Sequence, residues 1–229
     1  MTNNKQQTAM ISQPRYMPSM TYMMRIAMVD TYVCYDNVQR VPRFVENRQR
    51  LMNPSGGTIW ASVSICSSSR TLINQSVICS TKDFEKHRET VRHFYMSYPF
   101  YNQEIVDGYF DTLLCSTNMA ESFLAGIEYL MDLLQIKSKV WLSSMLEYEK
   151  TYGAYELMSI CKSINANVYV TGVNGSKYGM TNELADTFDV RVIEHDDVIE
   201  PQVSFFHHLF LQGVDHWKIE ADKMHKLYI

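Results

Sequence analysis

Apolar positions in the first part of the chain change period twice. Ala9 to Gln13 reads as a short apolar strand. From a cap at Ser19 to about Val29, Tyr22, Ile26 and Val29 then fall on one helical stripe, with Met23 beside them. Thr31 to Tyr35 returns to a strand pattern, so the chain is predicted to open with a compact βαβ unit. A polar stretch from Arg40 to Gly57 closes on the turn signal Asn53-Pro54-Ser55-Gly56-Gly57. Thr58 to Cys66 alternates as a strand and Gln75 to Cys79 resembles another, which predicts an antiparallel insertion within residues 40–80.

Helical periodicity dominates the middle of the chain. Thr81 is placed to cap a helix from Lys82 to about Tyr98, with Phe84, Val91, Phe94, Tyr95 and Tyr98 on its apolar face and Pro99 ending it. A helix is predicted over Gln103 to Leu114. Asn118 with Glu121 gives a capping-box pattern before a stripe of Phe123, Ile127, Leu130, Met131 and Leu134. Strands and helices then alternate: Lys139 to Leu142, helix Tyr148 to Ile164, strand Asn167 to Thr171, helix Thr181 to Phe188, strand Val190 to Glu194, and a helix from Ser204 to about Gln212 that stops at Gly213. That alternation predicts one α/β domain over 1–229, with a mainly parallel sheet and helices on both faces. Residues 1–8 are read as a disordered arm.

Composition narrows the class. An apolar content of 46% and a charged content of 20% are globular values. No apolar run approaches the length of a membrane span, and the polar N-terminus lacks the apolar core of a secretion signal, so a cytoplasmic location is expected. Cys34, Cys66, Cys79, Cys115 and Cys161 form no CxxC pair and are read as free thiols in a reducing compartment. Net charge is −4 but uneven: residues 1–100 carry 12 Lys/Arg against 6 Asp/Glu, and residues 101–229 carry 9 against 19. Arg40, Arg43, Arg48 and Arg50 concentrate the positive charge, either as an anion-holding cluster or as a solvated surface loop.

Candidate chemistry gathers where strands are predicted to end. Gln13-Pro14-Arg15-Tyr16-Met17-Pro18 is stiffened by two prolines, as a loop that holds polar groups in place or as a plain structural bend. Asp36 follows the second strand, as a general base or as a turn-forming cap. Gly172 to Tyr178 follows a later strand with Lys177 within it, as a cradle for phosphate or carboxylate or as an ordinary connection. Neither GxxxxGK[ST] nor GxGxxG occurs, and no GxSxG is present. His195 beside Asp196 and Asp197, and the pair His207-His208, lack metal-ligand spacing, so no metal site is expected.

Taken in order, Gln13, Pro14, Tyr16, Pro18, Tyr22, Asp30, Asp36, Val38, Gln39, Arg43, Asn47, Arg48, Arg50 and Trp60 resemble the opening motif of the WbqC-like family, associated with bacterial surface-polysaccharide synthesis. Gly172, Gly175, Tyr178 and the Pro201-Gln202 step extend the resemblance over nearly the whole chain. Thr21, Asn37 and Gln49 stand where the family pattern has Gly, Asp and Asn.

The strand–proline loop–helix opening and the late Gly-Ser turn also resemble a Rossmann-like, nucleotidylyltransferase-type sheet, here with the small antiparallel β insertion. The WbqC-like resemblance implies a transferase that attaches an amino acid, glycine in particular, or a small amino or acyl group to a sugar. Asp36, Tyr16 and Gln13 are the expected catalytic group. Arg43, Asn47, Arg48, Arg50, Gly175, Ser176, Lys177 and Tyr178 are expected to hold substrate or anion, with Gln39, Ser143, His195 and Gln202 lining the site. The cofactor is left open, with ATP or a nucleotide-linked donor and magnesium as candidates. Transfer to modified DNA bases, or a non-catalytic scaffold role, are the competing functions.

Overall fold

The computed structural model describes residues 6–41, 45–68, 70–172, 184–193 and 202–229. In chain order its elements are β1 (Thr8–Ser12), α1 (Met20–Ala27), β2 (Thr31–Cys34), β3 (Arg48–Met52), β4 (Thr58–Ser62), α2 (Lys82–Tyr95), α3 (Gln103–Leu113), α4 (Met119–Leu134), β5 (Lys139–Leu142), α5 (Ala154–Ser163), β6 (Val168–Gly172), β7 (Asp189–Ile193) and α6 (Phe205–Tyr228). Five strands pair in parallel in the order β5-β2-β1-β6-β7, and β3 with β4 forms a separate antiparallel hairpin. The α/β class and the parallel sheet agree with the expectation from the sequence.

Successive side chains of a strand face opposite ways, and here both directions meet a core. Met10, Tyr32 and Cys34 face the larger core, with buried residues of α1, α2, α3, α4 and α6. Ala9, Ile11 and Val33 face the smaller one, with Ala154, Leu157, Ile160 and Cys161 of α5 and with Leu184 and Phe188. That is why β1 and β2 read as continuous apolar runs rather than as alternation.

Local capping follows the sequence at α1 and α4 but not at α2, where Thr81 makes no side-chain capping bond and the Lys82 N–H donates to the Ser80 hydroxyl at 3.2 Å. The Ser19 hydroxyl accepts from the Tyr22 N–H at the start of α1. The Asn118 side chain accepts from the N–H groups of Ala120 and Glu121. Glu121 does not return the bond of a capping box; its carboxylate accepts from the Ser116 hydroxyl at 2.6 Å instead.

Several boundaries differ from expectation. Gly56 and Gly57 take φ of +99° and +72°, so the turn folds β4 back onto Arg48–Met52. The insertion hairpin is therefore β3–β4, not Thr58–Cys66 with Gln75–Cys79. Those later segments share one bridge, Ile65 with Ile78, and a disulfide joins Cys66 to Cys79. This corrects the reading of all five cysteines as free; Cys34, Cys115 and Cys161 remain so.

Thr8 pairs with Val168 in β1, so it is not part of the expected disordered arm. Gly153, at φ +62°, delays α5 to Ala154, and α2 ends at Tyr95. Helix α6 breaks at Gly213 (φ 84°, ψ 165°) but resumes to Tyr228, because Trp217, Ala221 and Met224 supply a second buried stripe. No helix among the described residues is long and apolar enough to cross a membrane.

Candidate functional site at the sheet edge

The strand order places β1 beside β6, and the chain leaves these two strands in opposite directions, toward β2 and toward β7. Their carboxyl ends diverge there, at the position where open α/β sheets bind ligands. Gln13 follows β1 and Gly172 ends β6, so both expected loops start at this crevice.

The β1–α1 loop is clamped. The Tyr16 N–H donates to the Glu46 carbonyl at 2.8 Å and the Met17 N–H to the Tyr109 hydroxyl at 2.9 Å. Tyr16 points into the core, between Phe84 and Phe123, with its hydroxyl 2.9 Å from His87 Nδ1. Burial raises the Tyr16 phenol well above its ordinary range and lowers His87 to about 4. A neutral imidazole thus faces a phenol that keeps its proton, and the pair positions the loop. Gln13 is half-buried, and its carbonyl accepts from the Tyr22 hydroxyl at 2.8 Å.

Two cations that the motif reading did not single out lie near the Tyr22 ring. The Arg15 guanidinium lies 5.1 Å from the Tyr22 ring centroid and that of Arg25 lies 5.9 Å from it. A side chain at position 172 would overlap Arg25 Nη1, so β6 ends in glycine where Arg25 passes close. The signals were present: Arg15 sits inside the proline-stiffened loop, and Arg25 is three residues from Tyr22 on the same helix.

The remaining motif segments meet this loop. The Ser204 N–H donates to the Arg50 carbonyl at 2.9 Å, and the Phe205 N–H to the Pro18 carbonyl at 2.8 Å. The Thr21 hydroxyl donates to Gln202 Oε1 at 3.5 Å, so the threonine standing for a family glycine touches a predicted lining residue. Arg48 and Arg50 lie on the outer face of the hairpin, 4.2 and 5.7 Å from the Trp60 ring centroid, and Trp60 is 48% exposed. The Asn47 amide donates to the Val63 carbonyl at 2.8 Å.

Asp36 lies apart from this group, at the ends of β2 and β5. It is 1% exposed, and its carboxylate accepts from the Ser143 hydroxyl (2.8 Å), the Ser144 N–H (2.9 Å) and the Ser144 hydroxyl (2.6 Å). Asn37 joins the same network through Ser143 and Tyr148. Both Asp36 oxygens are engaged, and the geometry describes a brace between two strand ends. Gln39 bridges to Leu72 in the insertion. Asp30 is at the opposite sheet edge, where it accepts from the Thr8 N–H and hydroxyl beside a shallow pocket of about 340 Å³ that also involves Lys137 and Lys139. Arg43, Gly175, Ser176, Lys177, Tyr178 and His195 lie outside the described residues. Among the described residues no three or more His, Cys, Asp or Glu side chains gather as a metal site.

A family model described as the WbqC-like protein family matches residues 13–208. Comparison with curated proteins and with solved structures returned no match.

Proposed function

Because the chain belongs to the WbqC-like protein family, we propose that it is a transferase acting at the β1/β6 crevice. It joins an amino acid of glycine type, or a small amino or acyl group, to a sugar of a surface polysaccharide, in the cytoplasm. The observation that carries this reading is the convergence of residues 13–22, 47–50 and 202–205 on the carboxyl edge of the sheet, with Arg25 beside Gly172 and Arg15 beside Tyr22. Guanidinium groups beside a strand end suit the phosphate of a nucleotide-linked donor or of ATP with magnesium. In this reading Gln13 and Gln202 orient the acceptor, Tyr16 fixes the loop, and Asp36 holds the strand ends in register. Gly175, Ser176, Lys177 and Tyr178, outside the described residues, are assigned to anion binding by the family motif alone.

Thermal shift with nucleotides, nucleotide-sugars and ATP–magnesium tests the donor site. A ligand at about 100 times its Kd adds roughly 2.7 kcal/mol of stability. Stabilisation of the wild type, lost in Arg25→Ala, is the expected result; no response to any phosphate-bearing ligand overturns the reading. Transfer to a DNA base is the second reading, and the exposed Trp60 between Arg48 and Arg50 favours it as a stacking platform. Salt-sensitive binding of short single-stranded DNA that is lost in Trp60→Ala would select that reading.

A further inference from the structure

The parallel sheet has an open edge at β5. That strand ends the order, with β2 on one side and no strand on the other among the described residues. The Lys139 N–H donates to the Asp30 carbonyl at 2.8 Å, which sets the phase of the β2–β5 ladder. Backbone groups alternate between the two edges of a strand, so Lys139 and Trp141 bond toward β2 while the N–H and C=O of Val140 and Leu142 point outward. No backbone partner meets these outward groups among the described residues. Such an edge is a template for a further strand.

The side chains at this edge are apolar where they need not be. Trp141 is in register with Val33, so both leave the sheet on the same face. Val33 is fully buried under α5, whereas Trp141 is 46% exposed. Met145, just past the strand, is 73% exposed. Charge is divided along the same segment. Lys137 and Lys139 are exposed at the start of β5, and Glu147 and Glu149 are exposed after it, ahead of Lys150.

We propose that β5 is the interface of a two-fold symmetric dimer, pairing antiparallel with β5 of a second copy and joining the two five-stranded sheets edge to edge. Hydrogen-bond phase selects the register. Both outward-facing residues are used when Val140 of each copy exchanges its bonds with Leu142 of the other. The two-fold axis then passes between the two copies of Trp141. They oppose each other in the non-hydrogen-bonded position, where side chains come closest and aromatic pairs stabilise a sheet. Lys139 falls opposite Ser143 of the second copy, not opposite another lysine. Antiparallel direction also carries the basic end of each strand toward the segment of the other copy that holds Glu147 and Glu149, so the charges are complementary. The dimer stands or falls independently of the transferase reading.

Analytical ultracentrifugation of the full chain tests the interface. The wild type is expected to sediment as a dimer that dissociates on dilution. Trp141→Glu and Trp141→Lys each set like charges opposite one another. Each is expected to weaken association at least tenfold while keeping the wild-type circular dichroism spectrum. Mixing the two variants is expected to restore a heterodimer, because opposite charges then face each other across the axis. Val140→Pro removes an outward N–H that β2 does not use, and it too is expected to dissociate the dimer. Hydrogen exchange needs only the wild type, so it holds if a variant misfolds: the Val140 and Leu142 amides are expected to exchange at least tenfold more slowly in the dimer than after dilution. A monomer at every concentration, a dimer indifferent to both Trp141 variants, a mixture of the two that stays monomeric, or equal exchange of those amides before and after dilution overturns the proposal. A monomeric wild type that binds an extended peptide along β5 also overturns it and assigns the edge to that partner.

Discussion

At the residue scale, Asp36 and Glu46 have opposite environments. Asp36 meets donors on both oxygens, whereas Glu46 is buried with one oxygen unsatisfied. Hydrogen bonds to a charged group contribute about 1.5–3 kcal/mol, so Asp36→Asn is expected to lower unfolding stability by roughly 2 kcal/mol, read by urea denaturation. A change near zero would release Asp36 from the bracing role. Glu46 makes stability depend on pH. Its folded value is near 7 against an ordinary 4.5, so its neutral form is favoured in the fold. The associated stability is full below about 4.5 and is lost as pH rises toward 7. The Tm of Glu46→Gln relative to wild type is therefore expected to rise between pH 4.5 and 7 and then level off. His87 works from the acid side. Burial lowers it from 6.5 to about 4, so the stability that it contributes is present above 6.5 and is lost as pH falls to 4.

At the scale of elements, caps and stripes were readable where a short side chain sits next to its own helix. Ser19 and Asn118 are such cases, since the capping bond spans only two or three residues. Strand β3 was not readable. Its sequence, RQRLM, carries two arginines that face outward against Trp60 while Gln49 and Leu51 turn inward, and the cross-strand partner creates that pattern. The second half of α6 was hidden for a related reason: three buried residues are spread through a polar run. Gly213 between the halves adopts a backbone region open essentially to glycine, and a Cβ there would lie 3.1 Å from Phe100 Cδ1. Gly213→Ala is expected to cost about 1–3 kcal/mol, measured as a lower denaturation midpoint. An unchanged midpoint would show that α6 tolerates a continuous helix.

At the scale of the whole molecule, the strand order decides which loops become neighbours. Gly172 and Arg25 lie far apart in the chain, and they meet because β6 inserts beside β1. The atom that a new Cβ would meet is the far end of a flexible side chain, so Gly172→Ala is expected to leave stability within about 1 kcal/mol while displacing the Arg25 guanidinium. Binding of a phosphate-bearing ligand should then weaken at least tenfold in calorimetric titration. Unaltered affinity would place the anion elsewhere. By itself the sequence determined the α/β class, the βαβ opening, the starts of α1 and α4 and the family motif, because each rests on periodicity or on contacts within a few residues. Only the tertiary structure decided that Tyr16 faces the core, that Asp36 braces β2 against β5, that Arg25 passes beside Gly172, and that Cys66 meets Cys79. Those outcomes depend on pairing between distant segments, and sequence periodicity carries no information about which strand becomes the neighbour of which.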